Sequence, residues 1–164
     1  MNTKHIGNIG EAKTLSKFVE MMIPIYVSFG DNEKADFVID WNDSLRKVQV
    51  KTSEKIIDGI IKFDLTSSVR IEGKNVVHKY NSKEIDFFVL YNMEADLLLI
   101  LPIKEFEDRR AISFALDYKP SRNQYIAYNW KDYTFEKIMC VETLHETPKD
   151  SNIYGEDKVQ TTTE

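Results

Sequence analysis

The stretch Ala35-Asp36-Phe37-Val38-Ile39-Asp40-Trp41-Asn42-Asp43-Ser44-Leu45-Arg46-Lys47-Val48-Gln49-Val50-Lys51-Thr52 carries the strongest fold signal in the chain. Asp36 to Trp41 and Leu45 to Thr52 alternate around Asn42-Asp43, two residues that tolerate the positive φ of a tight turn, so the segment is predicted to be a β-hairpin. A two-residue loop at Asn42-Asp43 pairs positions whose numbers sum to 85, which sets Asp36 opposite Gln49. Phe37, Ile39, Val48 and Val50 then share one face, and Asp36, Lys47, Gln49 and Lys51 the other. A carboxylate, an amide and an ammonium thereby converge on one surface. A slip of one residue would put Asp36 opposite Val50 and break that grouping.

Before the hairpin, Ile9, Ala12, Leu15, Val19 and Met22 recur at helical spacing until Pro24, which predicts a helix over residues 9 to 22. Glu11 borders its apolar stripe, pointing toward the sheet and expected to be half-buried. Its alternative role is a capping box, with Asn8 as the N-cap and Glu11 at the third helical position. Ile25 to Phe29 reads as a strand and Gly30-Asp31-Asn32 as a turn. After the hairpin, Ile60 to Thr66 alternates, and Ser67 to Ser82 is polar and basic, read as a connection or irregular strand. Phe87 to Tyr91 and Leu97 to Leu101 are continuous apolar runs, as in strands covered on both faces, and are expected at the sheet centre. Ala111 to Leu116 reads as a further strand and Asn123 to Ile138 as a helix.

A chain of 164 residues with 42 % hydrophobic and 30 % charged side chains is expected to form one domain, here residues 1–143, followed by an acidic, disordered tail over 144–164. The overall charge of −5 divides unevenly, because residues 145 to 164 carry −3. Residues 46 to 83 hold nine basic side chains against four acids, a local +5 that is either a positive surface for phosphate or a solvated face with no ligand. Lys55, Lys62, Arg70, Lys74 and Lys79 belong to that basic segment and, with Arg109, Arg110 and Arg122, are the candidate DNA contacts. His78 is expected to be a solvated surface residue. No apolar run reaches a membrane span, no secretory stretch opens the chain, and one cysteine with three histidines has no zinc spacing, so an intracellular (cytoplasmic) protein with no membrane association and no structural zinc is expected.

Gly7-Asn8-Ile9-Gly10-Glu11, Phe29-Gly30-Asp31-Asn32, Ala35-Asp36-Phe37-Val38-Ile39-Asp40 and Val48-Gln49-Val50-Lys51-Thr52 occur in that order. Together they resemble the PD-(D/E)XK nuclease superfamily. They are similar, more narrowly, to its bacterial group I intron-encoded homing endonucleases, with a G-x-I-G-E-A helix start, an F-G-D-N turn and a Q-V-K-T strand. The similarity is tightest over residues 6 to 53. It implies a restriction-endonuclease-like α/β fold, with a mixed central β-sheet flanked by helices on its faces.

By that resemblance Asp36 is the metal-binding aspartate, Lys51 the motif lysine, and Glu11 the additional helix glutamate also found in Holliday-junction resolvases. Two positions depart from the pattern: Ala35 replaces the proline, and Gln49 the second acid. The glutamine is shared with the intron endonucleases. Mg²⁺, with Mn²⁺ as substitute, is the implied cofactor, held by Asp36, Glu11, the Gln49 amide oxygen and the Val50 backbone carbonyl. Double-stranded DNA is the implied substrate and a homodimer or homotetramer the implied assembly, since two strands need two sites. The rivals are a Holliday-junction-resolving nuclease using the same residues, and a non-catalytic DNA-binding or interaction module on the same fold.

Overall fold

The computed structural model describes residues 2–28, 33–71, 73–117 and 127–139. The turn expected at 30–32, Arg122 and the segment from 144 onward lie outside these. Helix α1 (Thr3–Glu20) leads into β1 (Ile25–Val27), the hairpin β2 (Phe37–Trp41) and β3 (Ser44–Ser53), and the short β4 (Ile56–Ile57). Next come β5 (Ile60–Asp64), β6 (Thr66–Ile71), β7 (Lys74–Lys79), β8 (Phe87–Asn92) and β9 (Leu97–Pro102). The last strands are β10 (Ala111–Ala115) and β11 (Tyr128–Asn129).

The hairpin forms in the expected register. Phe37 pairs with Val48 and Trp41 with Ser44, across a turn in which Asn42 and Asp43 take φ of 54° and 56°. β1, β2, β3, β8 and β9 make a five-stranded mixed sheet in that order, with the β3–β8 pair parallel and the other pairs antiparallel. β3 holds its centre. β8 is interior and buried throughout, whereas β9, expected beside it at the centre, is the edge strand. It reads as apolar because both of its faces are covered: Ile100 joins the core on the α1 side, Leu99 and Leu101 the opposite one.

The layers differ from the expectation of helices on both faces. On one face α1 lays Phe18 against Phe37, Ile39, Val48 and Val50, joined by Phe135 and Met139 from helical residues 135–139. The other face is covered by a second sheet, β11-β10-β5-β4, whose Ile61, Phe63, Ile112 and Phe114 pack on Phe88, Leu90, Leu99 and Leu101. Alternation in β5 and β10 gives each strand one apolar side, enough to replace a helical layer. Of the segment read as a helix over 123 to 138, residues 123 to 126 lie outside the described residues, and the rest is instead β11, a 3-10 turn at Trp130–Tyr133 and the helical turn from 135. There Tyr128, Trp130 and Tyr133 pack on the core, so aromatic burial overrides the helical pattern. Ser67 to Ser82 is more regular than expected: β6 and β7 form an antiparallel ribbon closed by Gly73 at φ 79°.

Helix α1 starts earlier than its apolar period suggests. Asn2 is the N-cap, its side chain accepting from the Lys4 N–H at 3.0 Å, so Asn8 and Glu11 lie inside the helix and form no capping box. Glycine at position 10 is required by close approach: a Cβ there would stand 1.9 Å from Thr52 Oγ1 on β3. Gly10→Ala is therefore expected to destabilise the fold by about 1–3 kcal/mol, the usual cost of overpacking. Thr52→Ala removes the obstructing oxygen, which has no hydrogen-bond partner among the described residues, and should restore much of the loss in the double variant. Thermal melts of the three variants check this.

Candidate active site

The site opens where β2 and β3 part. Pairing between them ends at Phe37 with Val48, while β3 runs on to Ser53, so among the described residues no strand pairs with residues 49 to 53 on that side. Asp36, one residue before β2, fills the gap with its side chain. Its Oδ2 accepts from the Val50 N–H at 2.7 Å and from Gln49 Nε2 at 2.6 Å, and the Asp36 N–H donates to the Val48 carbonyl at 2.9 Å. No donor among the described residues reaches Asp36 Oδ1. The Val50 carbonyl accepts from Gln49 Nε2 at 3.2 Å and lies on the same open edge.

Glu11 reaches this edge from α1, carried there by the Gly10–Thr52 contact. It is half-buried, as expected. Burial first, and then the Asp36 charge, push its carboxyl above the usual range. Asp36 is also pushed up, because burial outweighs the Val50 N–H, the Lys51 charge and the Gln49 amide that favour its anion. Two acids therefore sit together with their charges poorly compensated.

Lys51 projects to the other side of β3, toward the second sheet. Its Nζ donates to the Thr66 carbonyl at 2.9 Å and stands 4.9 Å from the centre of the Tyr80 ring. Burial lowers its pKa, opposed by the charges of Asp36 and Asp64. Asp64 stays below the ordinary carboxylate value despite partial burial, since the Thr66 hydroxyl and N–H donate to it and Lys51 and Arg110 are near. Tyr80, buried and raised in pKa by that burial, places its phenol by Ser67 within the field of Asp36.

Sequence reasoning grouped Glu11, Asp36, Gln49 and Lys51; in the structure Gln49 donates to Asp36, Glu11 lies within the field of Asp36 from α1, and Lys51 does so from the other side of β3. Gln49 is turned from its expected pose: its amide nitrogen, not its oxygen, faces Asp36 and the Val50 carbonyl. In this arrangement it positions Asp36, and ligation through its oxygen needs the amide turned over. Lys47 lines a depression with Ser28, Ala35 and Val38. Tyr80, Asp64 and Thr66 were missed, because only tertiary packing brings them to Lys51; the Asp64-x-Thr66 spacing was their one local signal.

The candidate DNA contacts among the described residues are spread over several elements. Lys55 and Lys62 line a cavity of about 490 Å³ between the end of β3 and β5. Lys74 and Lys79 are exposed on β7, and Arg70 belongs to β6. Arg109 stacks over Phe106 and Tyr128, whereas Arg110 lies near Asp64. His78, expected to be solvated, is paired with Glu84 at 3.0 Å.

The PD-(D/E)XK endonuclease family profile matches residues 1–136, most of the chain. The chain belongs to that family. Among solved structures it is similar to the bacterial homing endonuclease I-Ssp6803I, with a TM-score of 0.68 and 22 % identity over 90 % of this chain and 100 % of that one. The likeness shows a shared fold. A search of curated proteins finds no match. As a member of this family the chain is a nuclease, in which a divalent metal ion is the general requirement.

Among the described residues no three His, Cys, Asp or Glu side chains gather at one point. Mg²⁺ needs fewer, commonly one or two carboxylates with waters and substrate phosphate. The free Oδ1 of Asp36, the raised carboxyl of Glu11 and the Val50 carbonyl fit such an ion. Without metal, Asp36→Asn should stabilise the fold at neutral pH. A raised carboxyl contributes its stability below the ordinary pKa and loses it as pH rises through the folded value, so the charged Asp36 is a liability at pH 7. The melting-temperature advantage of the variant should shrink as pH falls through that folded pKa. A melt series from pH 7 to pH 3 checks the sign.

Proposed function

We propose that this nuclease hydrolyses phosphodiester bonds of double-stranded DNA, with Mg²⁺ as cofactor and Mn²⁺ able to replace it, as an endonuclease of the homing type. The observation that carries the reading is the convergence of Asp36, Glu11 and the Val50 carbonyl beside a desolvated Lys51. A divalent cation bound there would neutralise a non-bridging phosphate oxygen and ease deprotonation of water. Asp36 and Glu11 would hold that charge, and their raised carboxyl pKa values would make its binding stronger as pH rises. Gln49 fixes the Asp36 rotamer. Lys51 orients the attacking water and offsets charge developing at phosphorus.

Tyr80 and the Thr66 carbonyl hold the ammonium in place from the side of the second sheet. Arg110, close to Asp64, is suited to a flanking phosphate. Each chain supplies one such site, so cutting both strands implies a homodimer or homotetramer. Gln49, which removes a negative charge from the site, is the observation favouring a non-catalytic module instead, and branched duplexes test the junction-resolving alternative.

Plasmid nicking with Mg²⁺ decides between enzyme and module. Asp36→Asn should abolish nicking while leaving plasmid binding intact or tighter, and Mg²⁺ should raise the melting temperature of the unmodified protein but not of the variant. Lys51→Ala should slow single-turnover cleavage by about 10²-fold or more. Unaltered cleavage by either variant would remove that residue from the mechanism. Deleting residues 145 to 164 removes a net charge of −3 and should leave DNA binding at least as tight at low salt, an effect that fades as salt rises. Gel-shift titrations at two salt concentrations, with light scattering for assembly size, check it.

A further inference from the structure

The β6–β7 ribbon stands apart from both sheets. Among the described residues its two strands pair only with each other. Val76 and Val77 are neighbours on opposite faces, yet they are 45 % and 44 % exposed, so neither face of β7 is covered there. A lone two-stranded ribbon is marginally stable in water and gains from a partner. Its charge indicates which kind: residues 66 to 79 carry Arg70, Lys74 and Lys79 against Glu72, a net +2 with His78 neutral. Its base is tied to the cleft, because Lys51 donates to the Thr66 carbonyl and His78 packs edge-on against Tyr80 at 5.1 Å.

We propose that this ribbon is the element that reads DNA sequence, entering the major groove beside the scissile phosphate with the face that carries Lys74 and Val76. The inference rests on the nuclease reading of the same cleft. A major groove about 12 Å wide admits a two-stranded β-ribbon. The register selects the face: Ser67 pairs with His78 and Ile71 with Lys74, so Lys74, Val76 and His78 share the side that meets Tyr80, and through it Lys51. Asn75, Val77 and Lys79 lie on the other side. Five residue steps of β6 span about 17 Å, which matches about five base pairs at 3.4 Å each. Lys74 has donors for guanine O6 and N7, and the Val76 methyl groups fit the thymine methyl.

Two measurements test the proposal on the full chain. Randomised duplexes are selected for binding in Ca²⁺ and sequenced, and guanine-N7 methylation interference is mapped on the selected duplex. The expected result is a preferred run within about five base pairs on one side of the position bound at the cleft, with interference from methylated guanines there. Lys74→Ala and Val76→Ala should each weaken that preference by about tenfold, whereas Asn75→Ala and Val77→Ala should leave it in place. All four side chains are exposed, so melting temperatures should hold. Preferences unchanged by Lys74→Ala and Val76→Ala, loss confined to the Asn75 and Val77 variants, or absence of duplex binding would each overturn the proposal. A protein that selects duplexes through the ribbon but never cuts in Mg²⁺ would support the ribbon assignment and defeat the nuclease reading of this chain.

Discussion

The Asp36 carboxylate accepting the Val50 N–H is the interaction on which the rest of the site depends. A β-strand that outruns its partner leaves backbone groups that must find other partners. β3 outruns β2 by five residues, from Gln49 to Ser53, and Asp36 answers the first inward N–H at 2.7 Å. That bond fixes the aspartate rotamer, keeps the strands parted, and leaves the Val50 carbonyl on an open edge. The cost is visible in the raised Asp36 pKa, where burial outweighs two hydrogen bonds and a nearby ammonium.

The surrounding layers intensify that electrostatic tension. Gly10 lets α1 settle onto Thr52, and the approach delivers Glu11 into the field of Asp36. From the opposite side Thr66 and Tyr80 cover Lys51, which lowers its pKa where an exposed lysine would keep its ordinary value. Two under-compensated acids and one desolvated cation are poor for stability. They are suited to a cation and a phosphate, each of which would supply charge that these residues lack. The second sheet therefore does more than fill a core: β5 and the start of β6 set the electrostatics of a residue on β3.

The hairpin was legible because two local rules agreed, alternation and a turn pair able to take positive φ, and they fixed the register that unites Asp36, Gln49 and Lys51. Family resemblance added the reading of those residues. The start of α1 was obscured by Gly7 and Gly10, both poor helix formers, of which Gly10 serves a close contact with Thr52 that only the folded chain reveals. The ribbon was hidden for the opposite reason: both of its faces meet solvent along β7, so no hydrophobic period marks it. The segment read as a helix from residue 123 follows another path from 127 onward, where Tyr128 and Tyr133 pack on Phe106 and Phe114. Tyr80 could not be found at all, since its role comes from facing Lys51 across 29 residues of chain.

Gln49 shows how a departure from the family pattern can be a physical solution. An acid at this position would set acceptor against acceptor, facing Asp36 Oδ2 at 2.6 Å and the Val50 carbonyl at 3.2 Å. It would also add a third anion to a cleft where two already bear raised pKa values. The amide instead supplies a donor to both groups and no charge. A cation held at this edge then meets two carboxylates, enough for an ion that keeps most of its water and takes further oxygens from phosphate. In the proposed metal site the glutamine would exchange metal-binding strength for an aspartate held in a defined pose, the condition for a site to be assembled by the fold rather than by an ion.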